Sequence, residues 1–346
     1  MPTAADEPLA WFGGRLATGL LEVRDDVTGL DEGGWWALVV DFDGRVVAGR
    51  FADVREAPLP ARPWAGLAGG WRTSLERTAY EAGVREIRRR VGEGTVYQVN
   101  LCRVVEHDLA QDADLLGLAA RTLEGNPAPY QGFVRLPGVE VVTASPELFL
   151  RRAGDRVTTG PIKGTAPTAA QLLPKDVDEN VMIVDLARND LSLVSRTGSV
   201  GVEALLALEH HPGLVHLVSR VGGRLADGIG WPGLLAAMLP PASVTGAPKS
   251  TALRAIADLE PVPRGPYCGA VGWVDADAGT AELAVTIRSF WSASGPGGGR
   301  VLRFGTGAGI TWGSDPAGEW DETVLKARRL IALADVPQPA QVSPST

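Results

Sequence analysis

The sequence predicts an α+β fold in which antiparallel sheet is backed by helices, and three observations carry that prediction. Strand-like runs come mostly in adjacent pairs, helical runs separate the pairs, and no one-strand, one-helix alternation of the βαβ kind runs along the chain. The 346 residues are 45% hydrophobic, which suits one large domain or two ordinary ones with a sizeable core.

Residues 1–72 read as a reduced, strand-rich N-terminal part: short apolar runs such as "WWALVVDF" alternate with Gly- and Pro-rich turns, and no chemical motif appears. From Thr73 the pattern changes. "TSLE" reads as a capping box, and Tyr80, Val84, Ile87 and Val91 recur at helical spacing behind it. "YQVNLCRVV" alternates as a strand, "DLLGLAARTLEGN" reads as a helix, and "QGFVRL" with "VEVVTAS" as a hairpin. "TTGPIKGTAPT", Thr158 to Thr168, has the Gly, Pro and Thr content of a turn, to whose geometry Lys163 contributes nothing. "DVDENVMIVDLARNDL" is a helix, "LVHLVSRVGG" a strand, and "GAPKSTALRAIADLE" a helix with Pro248 at its first position. A long hairpin over "CGAVGWVDADAGTAELAVTIRSFW" and a last strand "RVLRFGTGAGI" precede a terminal helix from Asp315. Residues 73–335 thus carry the motifs, and 336–346 form a tail that composition predicts to be disordered.

Composition excludes several classes. Formal net charge is −8, and the densest basic run, "REIRRR", is the solvated face of a helix, so there is no nucleic-acid footprint. No stretch reaches the roughly 18 apolar residues of a membrane span, and the chain opens with acids where a secretion signal carries positive charge, so a cytoplasmic location is expected. Cys102 and Cys268 lie far apart in strand-like surroundings and read as small core residues, not as a disulfide or zinc site.

Four constellations could bear chemistry. On the helix from Asp176, apolar residues cover nearly the whole circumference, so the helix is expected to be buried. Asp176 and Glu179 share one of its faces and must find a cation, a set of hydrogen-bond donors or a proton; an ion pair with a nearby arginine or Lys175 is the ordinary answer and a metal the other. On the terminal helix Glu319, Glu322 and Lys326 fall on one side, opposite a stripe of Trp320, Val324, Ala327 and Ile331; taken alone this is an ordinary amphipathic helix with a solvated charged face. The glycines 305, 307 and 309 do not make a dinucleotide fingerprint and are expected instead to let backbone N–H groups approach an anion. "ASVTGAPKS" is a better anion site, with Gly246 beside a helix N-terminus. His216 is by default a satisfied core histidine.

Taken in order, "YQVNL", "SPELF", "PIKGT", "DENVMIVDLARND", "HLVS", "VTGAPK", "YCGAVGW", "TIRSF", "GAGI" and "GEWDET" resemble the chorismate-utilising enzymes over about Thr73 to Leu333. The resemblance implies two facing, largely antiparallel β-sheets flanked by helices, as in anthranilate synthase component I, with the active site in the cleft. It implies Mg²⁺ held by Glu179 and Glu322, with Asp176 and Glu319 toward the metal's waters. Chorismate's carboxylates are then expected to meet Arg288, Lys326, the backbone of Gly307 to Gly309 and the loop with Thr245 and Gly246, with Gln98, Thr165, His216 and Tyr267 around the substrate.

Two positions bear on the nucleophile. Water-adding members carry a lysine base where this chain has Gln98, so the resemblance favours an ammonia user. Anthranilate synthases show alanine where this chain has Lys163, whereas the aminodeoxychorismate synthase branch shows lysine. Lys163 is therefore expected to be a covalent nucleophile and Glu147 the general acid, forming 4-amino-4-deoxychorismate with ammonia from a separate glutamine amidotransferase subunit. An anthranilate-type or other 2-amino-forming enzyme is the alternative within the same chemistry. A non-catalytic chorismate- or amidotransferase-binding paralogue is the alternative from another class.

Overall fold

The computed structural model describes residues 7–166, 168–172, 174–211, 214–295 and 297–336. The first half runs β1 (Leu9–Phe12), β2 (Arg15–Arg24), β3 (Trp35–Val40), β4 (Val46–Glu56), β5 (Arg72–Thr73), α1 (Arg77–Gly92), β6 (Gln98–Asp108), α2 (Leu115–Gly125), β7 (Tyr130–Leu136) and β8 (Val139–Ser145). Next come β9 (Leu148–Ala153), β10 (Arg156–Gly160), β11 (Ile162–Ala166), α3 (Pro174–Ser192), β12 (Gly201–His211), β13 (Leu214–Arg224) and α4 (Trp231–Met238). The chain closes with β14 (Gly246–Ala247), α5 (Lys249–Leu259), β15 (Ala270–Asp275), β16 (Thr280–Val285), β17 (Ser289–Ser294), β18 (Arg300–Ile310) and α6 (Pro316–Ala334).

The ladders between these strands are antiparallel, and hydrogen bonds connect them into one continuous network, in keeping with an antiparallel α+β fold. The N-terminal strands are woven into it: β3 pairs with β15 as well as β4, and β1 pairs with β7. Two apolar cores result. The larger packs Trp36, Phe149, Val184, Trp231 and Ile256 between strands and the helices α1, α3, α4 and α5. The second packs Leu115, Leu118, Phe290, Phe304 and Leu330 under α2 and α6. Side chains of this size contribute roughly 1.5–3 kcal/mol each on full burial.

Several local expectations are corrected. The "TSLE" segment does not cap α1: Thr73 is in β5, the Ser74 hydroxyl accepts the Val104 N–H at 3.0 Å, and the helix starts at Arg77 with no side-chain cap. A bond to the neighbouring strand β6 has outcompeted the local one. Pro248 is the residue before α5, in extended conformation, one position earlier than expected. Helix α3 is not buried all round, because Ile183, Val184, Ala187 and Leu191 face the core while Val177 and Val181 are exposed. The predicted turn at Lys163 is strand β11, since β13 supplies it with ladder partners that punctuation residues cannot reveal. The long hairpin ends at Val285, and Ser289–Ser294 joins β8 and β18 instead.

Helix α6 begins where expected, with the Asp315 carboxylate accepting the Gly318 N–H at 2.8 Å. Its end is pinned by the Trp64 indole donating to the Ala334 carbonyl at 2.8 Å. The tail expected to be disordered lies, beyond Val336, outside the described residues. Among the described residues no helix is long and apolar enough to cross a membrane.

Candidate active site

Two walls meet at Gly309. One is β18, which runs against β6 from Val301↔Asp108 to Ile310↔Val99 without a register shift. The other is β11, whose pairing with β13 shifts between Ile162 and Thr165, across Lys163 itself. The Lys163 ammonium and the Gln98 amide both lie against Gly309: a Cβ there would stand 3.3 Å from Lys163 Nζ and 2.3 Å from Gln98 Nε2. This glycine, in extended backbone, is required by close approach. Gln98 is 1% exposed, and among the described residues its buried Oε1 has no hydrogen-bond partner.

Glu147 stands between β8 and β9 and is buried. Burial pushes its carboxyl up to about 7, while a hydrogen bond from Ser243, the Lys163 charge and the Ile162 N–H pull the other way. A carboxyl in that range carries a proton near neutrality and can release it, the property a general acid needs. Its backbone is fixed through Ser145, whose hydroxyl accepts the Glu147 N–H at 3.2 Å and donates to the Val285 carbonyl at 2.6 Å.

The backbone of Lys163 is held by a side chain that sequence reasoning gave no role. Asn180 of α3 donates to the Lys163 carbonyl at 3.4 Å and the Leu217 carbonyl at 2.9 Å, and accepts from the Ser219 hydroxyl at 2.5 Å. The signal was an asparagine amid the apolar run of "DENVMIV". Asp176 packs its Cβ against Gly164, whose φ of +86° is a conformation that disfavours a side chain. Thr165 and Glu209 both sit opposite the buried His216 across β13.

On the other wall, the face of α6 with Glu319, Glu322 and Lys326 turns toward protein. Lys326 donates to the Gly307 carbonyl at 2.9 Å and pairs with Glu322 at 2.7 Å, and Glu319 is buried. Arg288, at φ +53°, donates to the Lys326 carbonyl at 2.8 Å, and Tyr267 and Glu322 are near enough to act on its charge. The residue thus sits in backbone space that non-glycine residues seldom occupy. Tyr267 is buried with its ring against Gly305, so that glycine, like Gly309, makes room for a side chain. The same fold brings the two cysteines together: Cys102 lies in hydrogen-bonding contact with Cys268 and donates toward Tyr267 at 3.8 Å, and both thiols are free and buried.

The Thr245 and Gly246 segment is packed onto β6. Thr245 is fully buried with its hydroxyl on the Pro241 carbonyl at 2.8 Å, and a Cβ at Gly246 would meet the Gln98 carbonyl at 2.2 Å. A second unforeseen side chain locks it there. Arg264, 2% exposed, donates to the Val244 carbonyl at 2.9 Å, the Asn100 carbonyl at 2.8 Å and both oxygens of Glu260. Asp176 and Glu179 stand on α3, Glu319 and Glu322 on α6; among the described residues no three His, Cys, Asp or Glu side chains gather as a metal site. The donor chemistry nonetheless fits Mg²⁺, which prefers oxygen and takes one or two carboxylates, leaving the rest of its shell to water and substrate.

Comparison with known proteins agrees with this architecture. The fold is similar to anthranilate synthase component I of Streptococcus pneumoniae, with a TM-score of 0.76 at 22% identity over 94% of this chain and 89% of that one. It is equally similar to the menaquinone-specific isochorismate synthase of Escherichia coli, with a TM-score of 0.77 at 21% identity over 96% and 90%. In sequence the chain is 38% identical to anthranilate synthase component 1 of Thermus thermophilus over 81% of its own length and 62% of the relative's. It is 35% identical to aminodeoxychorismate synthase component 1 of Klebsiella aerogenes over 90% and 71%. The match thus spans less than two thirds of the Thermus protein. Residues 45–332, which include both walls of the cleft, match the chorismate binding enzymes, and to that family this chain belongs.

Proposed function

We propose that this chain aminates chorismate at ring carbon 4, forming 4-amino-4-deoxychorismate, with Lys163 as covalent nucleophile and Glu147 as general acid. The supporting observation is a half-buried lysine amine set against Gly309 and Gln98 and close enough to Glu147 to act on its proton. Gln98, a neutral amide, is no base for water, which favours an amine over hydroxide as the group added.

The Lys163 amine forms a bond to carbon 2, both ring double bonds shift along the ring, and the carbon 4 hydroxyl leaves as water with the proton of Glu147, so that the adduct nitrogen carries the positive charge. Ammonia then bonds to carbon 4, the two double bonds shift back, the pair of the breaking carbon 2–nitrogen bond returns to Lys163, and the positive charge passes to the new 4-amino group. Arg288, Lys326 and the backbone of Gly307 to Gly309 hold the carboxylates. Glu179 and Glu322 would hold Mg²⁺, with Asp176 and Glu319 toward its waters; when bound it supplies positive charge at a substrate carboxylate. The "component 1" in the relatives' names supports a second subunit, here a glutamine amidotransferase, as the ammonia source.

A second reading, the anthranilate-type enzyme, is favoured by the 38% identity to the Thermus protein. One experiment separates the two. Chorismate, Mg²⁺ and ammonium chloride are incubated with the purified chain and the product is identified by mass and NMR. The proposal expects a 4-amino product that keeps its enolpyruvyl group; a 2-amino product, or anthranilate with released pyruvate, overturns it.

A further inference from the structure

A small pocket lies against Glu147, and Lys163 is not part of its lining. It measures about 20 Å³, room for one water, and is lined by Glu147, Thr159, Ala187, Asp190, Met238 and Ser243 among others. Asp190, near the end of α3, is 8% exposed, and its Oδ2 accepts from Lys249 Nζ at 2.7 Å. Lys249, at the start of α5, has a quarter of its side chain in solvent. The pocket therefore has two buried acidic residues in its lining, one beside the nucleophile and one whose partner reaches water. Burial raises both above the ordinary carboxylate range, opposed by Lys163 at Glu147 and by Lys249 and Asn189 at Asp190.

A general acid must be recharged once per turnover, and a carboxyl 4% exposed has no bulk water at its oxygens. We infer that Asp190 is a positioning residue that, through one pocket water, returns to Glu147 the proton given to the departing hydroxyl. The inference rests on Glu147 as proton donor. The water gives its proton to the Glu147 carboxylate and takes one from Asp190, which is reprotonated from solvent beside Lys249; no electrons are exchanged. A half-buried ion pair such as Asp190–Lys249 adds little net stability, so a structural role alone accounts for it poorly.

The test compares one turnover with many. In Asp190→Asn, with enzyme in excess over chorismate and Glu147 equilibrated with solvent before mixing, the single-turnover rate should stay within about twofold of wild type at the same pH. The steady-state rate should fall about tenfold or more, with a larger solvent deuterium isotope effect and unchanged KM for chorismate. Ala187→Val, which fills the pocket and leaves both ion-pair partners in place, should give the same split and covers the case in which Asp190→Asn folds poorly. Equal loss in the single-turnover and steady-state rates, or recovery of the steady-state rate in Asp190→Asn/Lys249→Met, would mean a merely structural pair and overturn the inference. Failure of the underlying reading is distinguishable: Glu147→Gln would then keep a normal single-turnover rate.

Discussion

The two walls of the cleft are built differently. The β18 wall is regular: its ladder with β6 is unbroken, it is backed by α6, and Lys326 reaches its backbone directly. The β11 wall is irregular. Its ladder slips at Lys163, the neighbouring β12–β13 ladder slips twice, and the Asn180 and Ser219 side chains bond backbone and one another where regular pairing fails. Rigid, evenly spaced backbone suits holding a charged substrate; a bulged strand can turn one amine into the cleft and fix it with hydrogen bonds. On the proposed reaction, binding falls to the regular wall and bond-making to the irregular one, so damage to each should have its own signature.

The largest effect is expected on the irregular wall. Lys163→Ala should lower 4-amino product formation by at least about ten-thousandfold, as removal of a covalent nucleophile does, and shift residual amination toward carbon 2. Lys163→Arg should be nearly as inactive, because a guanidinium keeps the charge and cannot attack. Wild-type product formation by the arginine variant would reduce Lys163 to a counter-ion. Next, Glu179→Gln and Glu322→Gln should each cut turnover about a thousandfold with the thermal melt little changed, and chelation should silence the wild type until Mg²⁺ is returned. Full turnover in chelator would remove the metal from the scheme.

Glu147→Gln should slow turnover by about 10²–10⁴ with chorismate affinity nearly intact. With its carboxyl near 7, the acid form is lost as pH rises through that value, so turnover at constant free ammonia should fall above about pH 7. The sign for folding is the same. The raised group binds its proton more tightly in the folded state, so its contribution is present below the ordinary 4.5 and is lost as pH climbs through about 7. A flat pH–rate profile with constant free ammonia would argue against the assignment.

The walls also differ in how legible they were. "YQVNLCRVV" and "RVLRFGTGAGI" read as strands from their own residues, and β6 and β18 pair along their length. The Asp315 cap was readable because it acts within its own turn. Lys163 was misplaced in a turn because its strand owes its existence to β13, some 50 residues later, and to Asn180 on α3. Glycines 305 and 309 invited an anion, yet the side chains that fill the space beside them, Tyr267 and Gln98 with Lys163, come from distant strands and loops. Glu260 and Arg264 stand four apart but straddle two prolines after a helix end, so helical spacing gave no warning of their ion pair.

Gly309 is where the walls touch, and Gly309→Ala tests the contact. The added carbon would press on the Gln98 amide, which is buried and has little room to yield, and then on Lys163 Nζ. Displacement by a fraction of an ångström at a nucleophile should cost up to about a hundredfold in turnover while KM changes less. An equal rise in KM alone would assign Gly309 to the binding wall.

The smallest effects should still tell the walls apart. Asn180→Ala removes the bridge between α3, the Lys163 carbonyl and the Leu217 carbonyl and leaves Ser219 without its acceptor, which should cost about 1–3 kcal/mol in denaturant unfolding. Turnover should fall with it, because the strand that aims Lys163 loses its tether. Thr306→Val on β18 deletes one buried hydrogen bond, from the Thr306 hydroxyl to the Thr323 carbonyl at 2.8 Å, and should cost about 1 kcal/mol. Here the ladder with β6 holds the strand regardless, so kcat should stay within about twofold of wild type. If both substitutions lower stability and kcat in the same proportion, the division between a wall that binds and a wall that reacts fails, and the cleft behaves as one unit.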